Sequence, residues 1–165
     1  MDDADLHPNA RAVVAAAAQR GLHIEPVGYP EGTRTAEDAA RAIGCQVGQI
    51  VKSLVFAVGP SDAQQLVLAL VSGANQLDER KLGRASGGDG RARRVDAEVV
   101  RAATGFPIGG VPPLGLASAL PVYVDPDLLG HDQVWAAAGT PRHVFGVEPE
   151  ALVAATEGTV VDLRR

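Results

Sequence analysis

Apolar positions along this chain change their period several times, and each change marks an element. Ala10, Val13, Val14 and Ala17 recur at the spacing of one helical face. Pro8 suits the first turn of that helix and Gly21 suits its end. Thr35 stands before Ala36, Ala39, Ala40 and Ile43, with Asp38 three residues on. That is the pattern of a capped amphipathic helix, and Gly44 stops it. The period then changes. Residues 50–58 and 66–71 are apolar on both faces, which predicts two central strands. Gly59-Pro60-Ser61-Asp62 between them predicts a hairpin.

The rest of the chain reads the same way. Residues 23–27 predict a short strand and residues 77–85 a helix. Gly87-Gly88-Asp89-Gly90 predicts a flexible loop. Asp96 caps a predicted helix that runs to Thr104 and closes at Gly105. Strands are predicted over 122–124, 134–138 and 143–147. Glu148-Pro149 opens a last helix, Gly158 ends it, and residues 160–161 add a terminal strand. No repeat and no long linker divides residues 1–165, so one α+β domain with both hairpins and crossovers is expected.

Composition narrows the function. Hydrophobic residues make up 46% and charged residues 21%, the balance of an ordinary globular protein. The longest wholly apolar run, residues 12–18, is too short to cross a bilayer, so no membrane partner is expected. The start Met1-Asp2-Asp3-Ala4-Asp5 is acidic, unlike a signal peptide, and the expected location is the cytoplasm. The single cysteine, Cys45, cannot form an internal disulfide, which suits a reducing compartment. His7, His23, His131 and His143 lack metal-ligand spacing, and neither a metal nor another cofactor is expected. Aromatic residues at 4% argue against a base-stacking platform. A net charge of −5 argues against broad nucleic-acid binding but leaves docking of one RNA end open. Arg80, Lys81 and Arg84 share a predicted helix face, and Arg91, Arg93 and Arg94 follow. They form either a solvated face or a set of phosphate contacts.

Two features carry candidate chemistry. Lys52 shares a strand face with Ile50, Leu54, Phe56 and Val58. A lysine there is costly unless its ammonium reaches water, a carboxylate or a ligand, and a snorkelling side chain would meet that need as well. The second feature is the run Gly109-Gly110-Val111-Pro112-Pro113. Glycines let backbone approach a ligand, prolines keep the loop preformed, and held N–H groups can bind a carbonyl oxygen. A plain rigid connection would look alike. A GxSxG elbow, a GxGxxG turn and a paired-carboxylate pattern are absent, and Lys52 lacks the preceding glycine of a phosphate-binding loop.

These residues together resemble a known family. Thr35-Ala36-Glu37-Asp38-Ala39-Ala40 with Ile43-Gly44, then Gln49-Ile50-Val51-Lys52-Ser53-Leu54-Val55-Phe56, look like its first two signatures. Gly109-Gly110-Val111-Pro112-Pro113-Leu114-Gly115 is similar to its GxxxP loop. Ala138-Gly139-Thr140-Pro141-Arg142-His143-Val144-Phe145 is similar to its closing segment. Over residues 35–152 the chain resembles the YbaK and proline-tRNA-synthetase-associated domain family of trans-editing aminoacyl-tRNA deacylases. The resemblance implies an α+β fold whose mixed, strongly curved, partly barrel-like sheet is surrounded by helices. It implies metal-independent hydrolysis of the ester in mischarged aminoacyl-tRNA, of the Cys- or Ala-tRNA(Pro) type. Lys52 would position the tRNA 3′-end. Gly109, Gly110, Val111, Pro112 and Pro113, with Gly139 and His143, would form the amino-acid pocket. The implied partners are the acceptor end of aminoacyl-tRNA and a synthetase or elongation factor that delivers it. A non-catalytic tRNA- or synthetase-binding module of the same fold, and a general small-ester or thioester hydrolase, stand as alternatives.

Overall fold

The computed structural model describes residues 6–29, 35–88 and 90–165. The acidic residues Asp2, Asp3 and Asp5 and the loop residue Asp89 lie outside the described residues. The helices are α1 (Pro8–Gln19), α2 (Ala36–Ile43), α3 (Glu79–Ala85), α4 (Ala97–Thr104) and α5 (Pro149–Thr156). The strands are β1 (Val27–Gly28), β2 (Val51–Val58), β3 (Gln65–Ser72), β4 (Arg93–Arg94), β5 (Val122–Val124), β6 (Val134–Ala137), β7 (His143–Val147) and β8 (Thr159–Val160).

Side-chain caps set the helix starts. Thr35 Oγ1 accepts the Asp38 N–H at 3.0 Å, and Gly44 takes the left-handed conformation that ends α2. Asp78 accepts from Arg80 and Lys81 at the head of α3, and Asp96 accepts from Val99 at the head of α4. Each carboxylate thus meets free N–H groups and the positive end of a helix dipole.

β2 and β3 form the predicted hairpin, in antiparallel register from Val51 opposite Ser72 to Val58 opposite Gln65. They are the middle of a five-stranded sheet ordered β4-β2-β3-β5-β8, in which β5 and β8 run parallel to their neighbours. A second sheet is ordered β1-β7-β6. The two meet at an isolated bridge between Ile50 and Trp135. The mixed α+β class is as expected. The ladders divide into two sheets that meet at that bridge, and no closed or strongly curved barrel is shown among the described residues. β4 pairs with β2 only at Phe56 and Ala57. Between Ile50 and Phe56 the far edge of β2 therefore has no strand partner among the described residues.

Both faces of the hairpin are covered, which explains its continuous apolar run. On one side Val51, Val55, Leu68 and Leu70 pack with Val13 and Ala17 of α1, Phe145 of β7 and Leu152 of α5. On the other, Phe56, Val58, Val67, Ala69 and Val71 pack with Leu82 of α3 and Leu163.

Two expectations shift, and one strand is unforeseen. The strand predicted over 23–27 shrinks to β1, although Ile24 is still buried as an anchor. Pro26 has no N–H to give a ladder. The left-handed residue closing α5 is Glu157, not Gly158. Gly158 is needed for space: a Cβ there would lie 2.7 Å from Val124 Cγ2. β4, a pair of arginines, carries no strand pattern and forms only because β2 offers an edge.

Candidate functional site

The open edge of β2 borders a cavity of about 460 Å³. Lys52 and Ser53 of β2 line it, with Ala36 and Ala39 of α2, Trp135 and Ala137 of β6, and Arg94 of β4. Ile108, Gly109 and Val111 come from the glycine- and proline-rich loop, and Thr140 and His143 from the segment before and into β7. The fold thus brings Lys52, Gly109, Val111 and His143 to one space from distant parts of the chain. Gly110, Pro112, Pro113 and Gly139 are buried and do not line that space. Gly110 packs on backbone: a Cβ there would lie 2.7 Å from Thr140 Cα. Gly139, at φ +93°, packs on Asn9, whose side-chain amide donates to its carbonyl at 2.9 Å.

Lys52 does not simply reach solvent. Its ammonium donates to the backbone carbonyl of Asn75. Burial pushes its pKa below the ordinary lysine value, and the carboxylates of Glu37 and Asp125 oppose that fall. Asp125 is fully buried. It accepts from the Ser72 N–H at 3.1 Å, the Asn75 amide at 2.8 Å and the Asp127 N–H at 2.9 Å. A buried polar group is costly unless such donors meet it.

The loop is built around a turn. Gly110 N–H donates to the Pro107 carbonyl at 2.9 Å, so that N–H is already used. Gly109 sits at φ +88°, which favours glycine. The N–H groups of Gly109 and Val111 have no acceptor among the described residues. His143 Nδ1 lies 2.6 Å from Thr140 Oγ1, which also accepts the Arg142 N–H at 3.0 Å. Burial, with His7 nearby, pushes the imidazole below its ordinary pKa, which disfavours the charged ring.

Sequence reasoning missed several lining residues. Ser53 has a buried hydroxyl with no partner among the described residues. A lone serine in an apolar strand beside Lys52 was the available signal. Thr140 and the 57% exposed Ile108 had no signal of their own. The arginine cluster is divided. Arg80, Arg84 and Arg91 share a separate cleft, whereas Lys81 pairs with Asp162 at 2.8 Å and Arg93 donates to the Gly59 carbonyl. Among the described residues no three His, Cys, Asp or Glu side chains are arranged to hold a metal ion. No described helix is long and apolar enough to cross a membrane.

Comparison with known proteins adds to this geometry. Residues 30–155 match the family described as the aminoacyl-tRNA editing domain. A protein of Enterococcus faecalis, described as a candidate Cys-tRNA(Pro)/Cys-tRNA(Cys) deacylase, is 28% identical over 82% of this chain and 80% of its own length. Proline–tRNA ligase of Solidesulfovibrio magneticus is 33% identical over 71% of this chain, which corresponds to 20% of the ligase. A solved structure described as a candidate trans-editing enzyme for prolyl-tRNA synthetase superposes with a TM-score of 0.88. It is 50% identical, and the match covers 98% of this chain and 99% of that one.

Proposed function

The chain belongs to the aminoacyl-tRNA editing domain family, and we propose that it hydrolyses the ester of mischarged tRNA in trans, without a metal ion. It is a deacylase whose preferred substrates are of the Cys- or Ala-tRNA(Pro) kind. Residues 1–165 act as one editing domain in the cytoplasm, and a synthetase or elongation factor delivers the tRNA. The observation that carries this reading is the meeting of Lys52 with Gly109 and Val111 at one cavity. Its size, about 460 Å³, falls in the range of ligand sites.

In this reading Lys52 holds the ribose or phosphate of the terminal adenosine. The free N–H groups of Gly109 and Val111 face the ester carbonyl. Water adds to that carbonyl, the N–H groups take the developing negative oxygen, and the bond to the ribose oxygen breaks. The products are the free amino acid and a tRNA with its terminal hydroxyl restored. The ester is reactive enough that positioning and polarisation suffice. His143, tied to Thr140, shapes the amino-acid end of the pocket. Gly110, Pro112, Pro113 and Gly139 support the wall rather than touch the substrate.

A panel of charged tRNAs tests this. Pure protein should deacylate Cys- or Ala-tRNA(Pro), spare Pro-tRNA(Pro), and keep its rate in excess EDTA. A protein that binds these tRNAs but hydrolyses none would be an accessory module instead. Loss of activity in EDTA with recovery on adding zinc would overturn the metal-free chemistry.

A further inference from the structure

A backbone carbonyl can hold a cation in place only if its own peptide is held. The carbonyl that takes the Lys52 ammonium belongs to Asn75, in the loop after β3. The side chain of Asn75 anchors that loop. Its amide nitrogen donates to Asp125 Oδ2 and to Asp127 Oδ2, both at 2.8 Å. An amide has two hydrogens, so both are used. The first anchor, Asp125, is fully buried and fixed by two backbone N–H groups. The second, Asp127, receives Arg164 at 3.1 Å. The neighbouring residues are pinned as well: Arg165 N–H donates to the Gln76 carbonyl and Asp78 N–H to the Leu163 carbonyl. A continuous set of polar contacts therefore runs from Arg164 through Asp127 and Asn75 to Lys52.

We propose that Asn75 is a positioning residue for Lys52, with Asp125 and Asp127 as the anchors of its amide. The proposal rests on the reading of Lys52 as the group that holds the tRNA 3′-end. Lys52 gains from being fixed in advance, because a flexible lysine would lose rotamer freedom each time substrate bound. Asp125 adds negative charge behind the ammonium, as Glu37 does from α2, while Arg94 of β4 lines the same cavity. A packing role alone would not require the amide of Asn75 to meet two carboxylates while its carbonyl meets the lysine.

The test is Asn75→Ala, read two ways. Deacylation of charged tRNA, as kcat/KM, should fall by about ten-fold, the size of one charge-assisted contact. The chain has two lysines, Lys52 and Lys81, so NMR can follow each ammonium separately. The Lys52 signal should move and the Lys81 signal should stay. Wild-type activity, or lost activity with the Lys52 signal unmoved, would overturn the proposal. If Asn75→Ala does not fold, Asp127→Ala removes one anchor at a side chain 43% exposed. It should cost roughly three-fold in kcat/KM and move the Lys52 signal in the same direction, because one of the two hydrogen bonds that anchor the amide is gone. An unmoved signal there also overturns the proposal. If Lys52→Ala keeps wild-type deacylation, the reading of the site fails instead, and the NMR result still decides whether Asn75 positions Lys52.

Discussion

The two halves of β2 obey different rules. Residues 55–58 are all buried, with β3 on one side and β4 reaching Phe56 and Ala57 on the other. Residues 52–54 are half-buried and border the cavity, which Val55 and Phe56 reach from the buried half. One strand thus carries a more closed apolar half and an open half with a desolvated ammonium and a hydroxyl that has no partner among the described residues. The closed half contributes stability through burial. The open half tolerates polar groups that a packed strand would reject, and that tolerance is what a ligand site needs.

Leu68→Ala gives the largest expected effect. Leu68 of β3 lies opposite Val55, is fully buried and does not line the cavity, and emptying its position should cost about 2–5 kcal/mol of stability. Denaturant unfolding measures the loss. Deacylation per folded molecule should hold; if it drops in step, the two halves are not separate.

Lys52→Ala should do the reverse. Losing one charge-assisted hydrogen bond to substrate, about 1.5–3 kcal/mol, predicts roughly a 10–150-fold fall in kcat/KM. The melting temperature should stay close to that of the parent protein, because no apolar packing is lost.

Gly110→Val sharpens the comparison at the loop. The new Cβ would meet Thr140 backbone atoms at 2.7–2.9 Å. Overpacking of this kind costs about 1–3 kcal/mol. Stability should therefore fall first, with activity following through displacement of Gly109 and Val111. An intact melting temperature with lost activity would place Gly110 in the pocket after all.

Ser53→Ala is a smaller change in the open half. Removing a buried, unpartnered hydroxyl should raise stability by up to about 1 kcal/mol. If the empty hydroxyl serves the substrate, turnover should fall at the same time. A gain in stability with unchanged kinetics would assign Ser53 no role in the reaction.

The smallest effect is expected away from β2. Neutralising Arg80, Arg84 and Arg91, which share a separate cleft, should flatten the salt dependence of tRNA use, by about one slope unit or less for each phosphate that no longer meets a cation. Cleavage of a minimal aminoacyl-adenosine ester should hardly change. Equal effects on both substrates would make the cleft an ordinary solvated surface.

Much of the molecule is legible in the order of its residues. Capped helices, the apolar hairpin and the stops at Gly44 and Gly105 follow from local rules, since the residues that decide them are neighbours in sequence. Lys52 stands out because one charge interrupts an apolar face. The sequence by itself therefore determined most of the elements, the α+β class and the central lysine, while β4 needed the edge of β2.

Only the tertiary structure decided which loop residues face the cavity, because Gly109 and Gly110 look alike until φ and the Thr140 backbone tell them apart. It also decided that Lys52 meets the Asn75 carbonyl and that a buried Asp125 lies behind it. Those hydrogen bonds join residues 23 and 50 positions apart. No local pattern encodes them, because they arise where β3, β5 and the C-terminal segment come together.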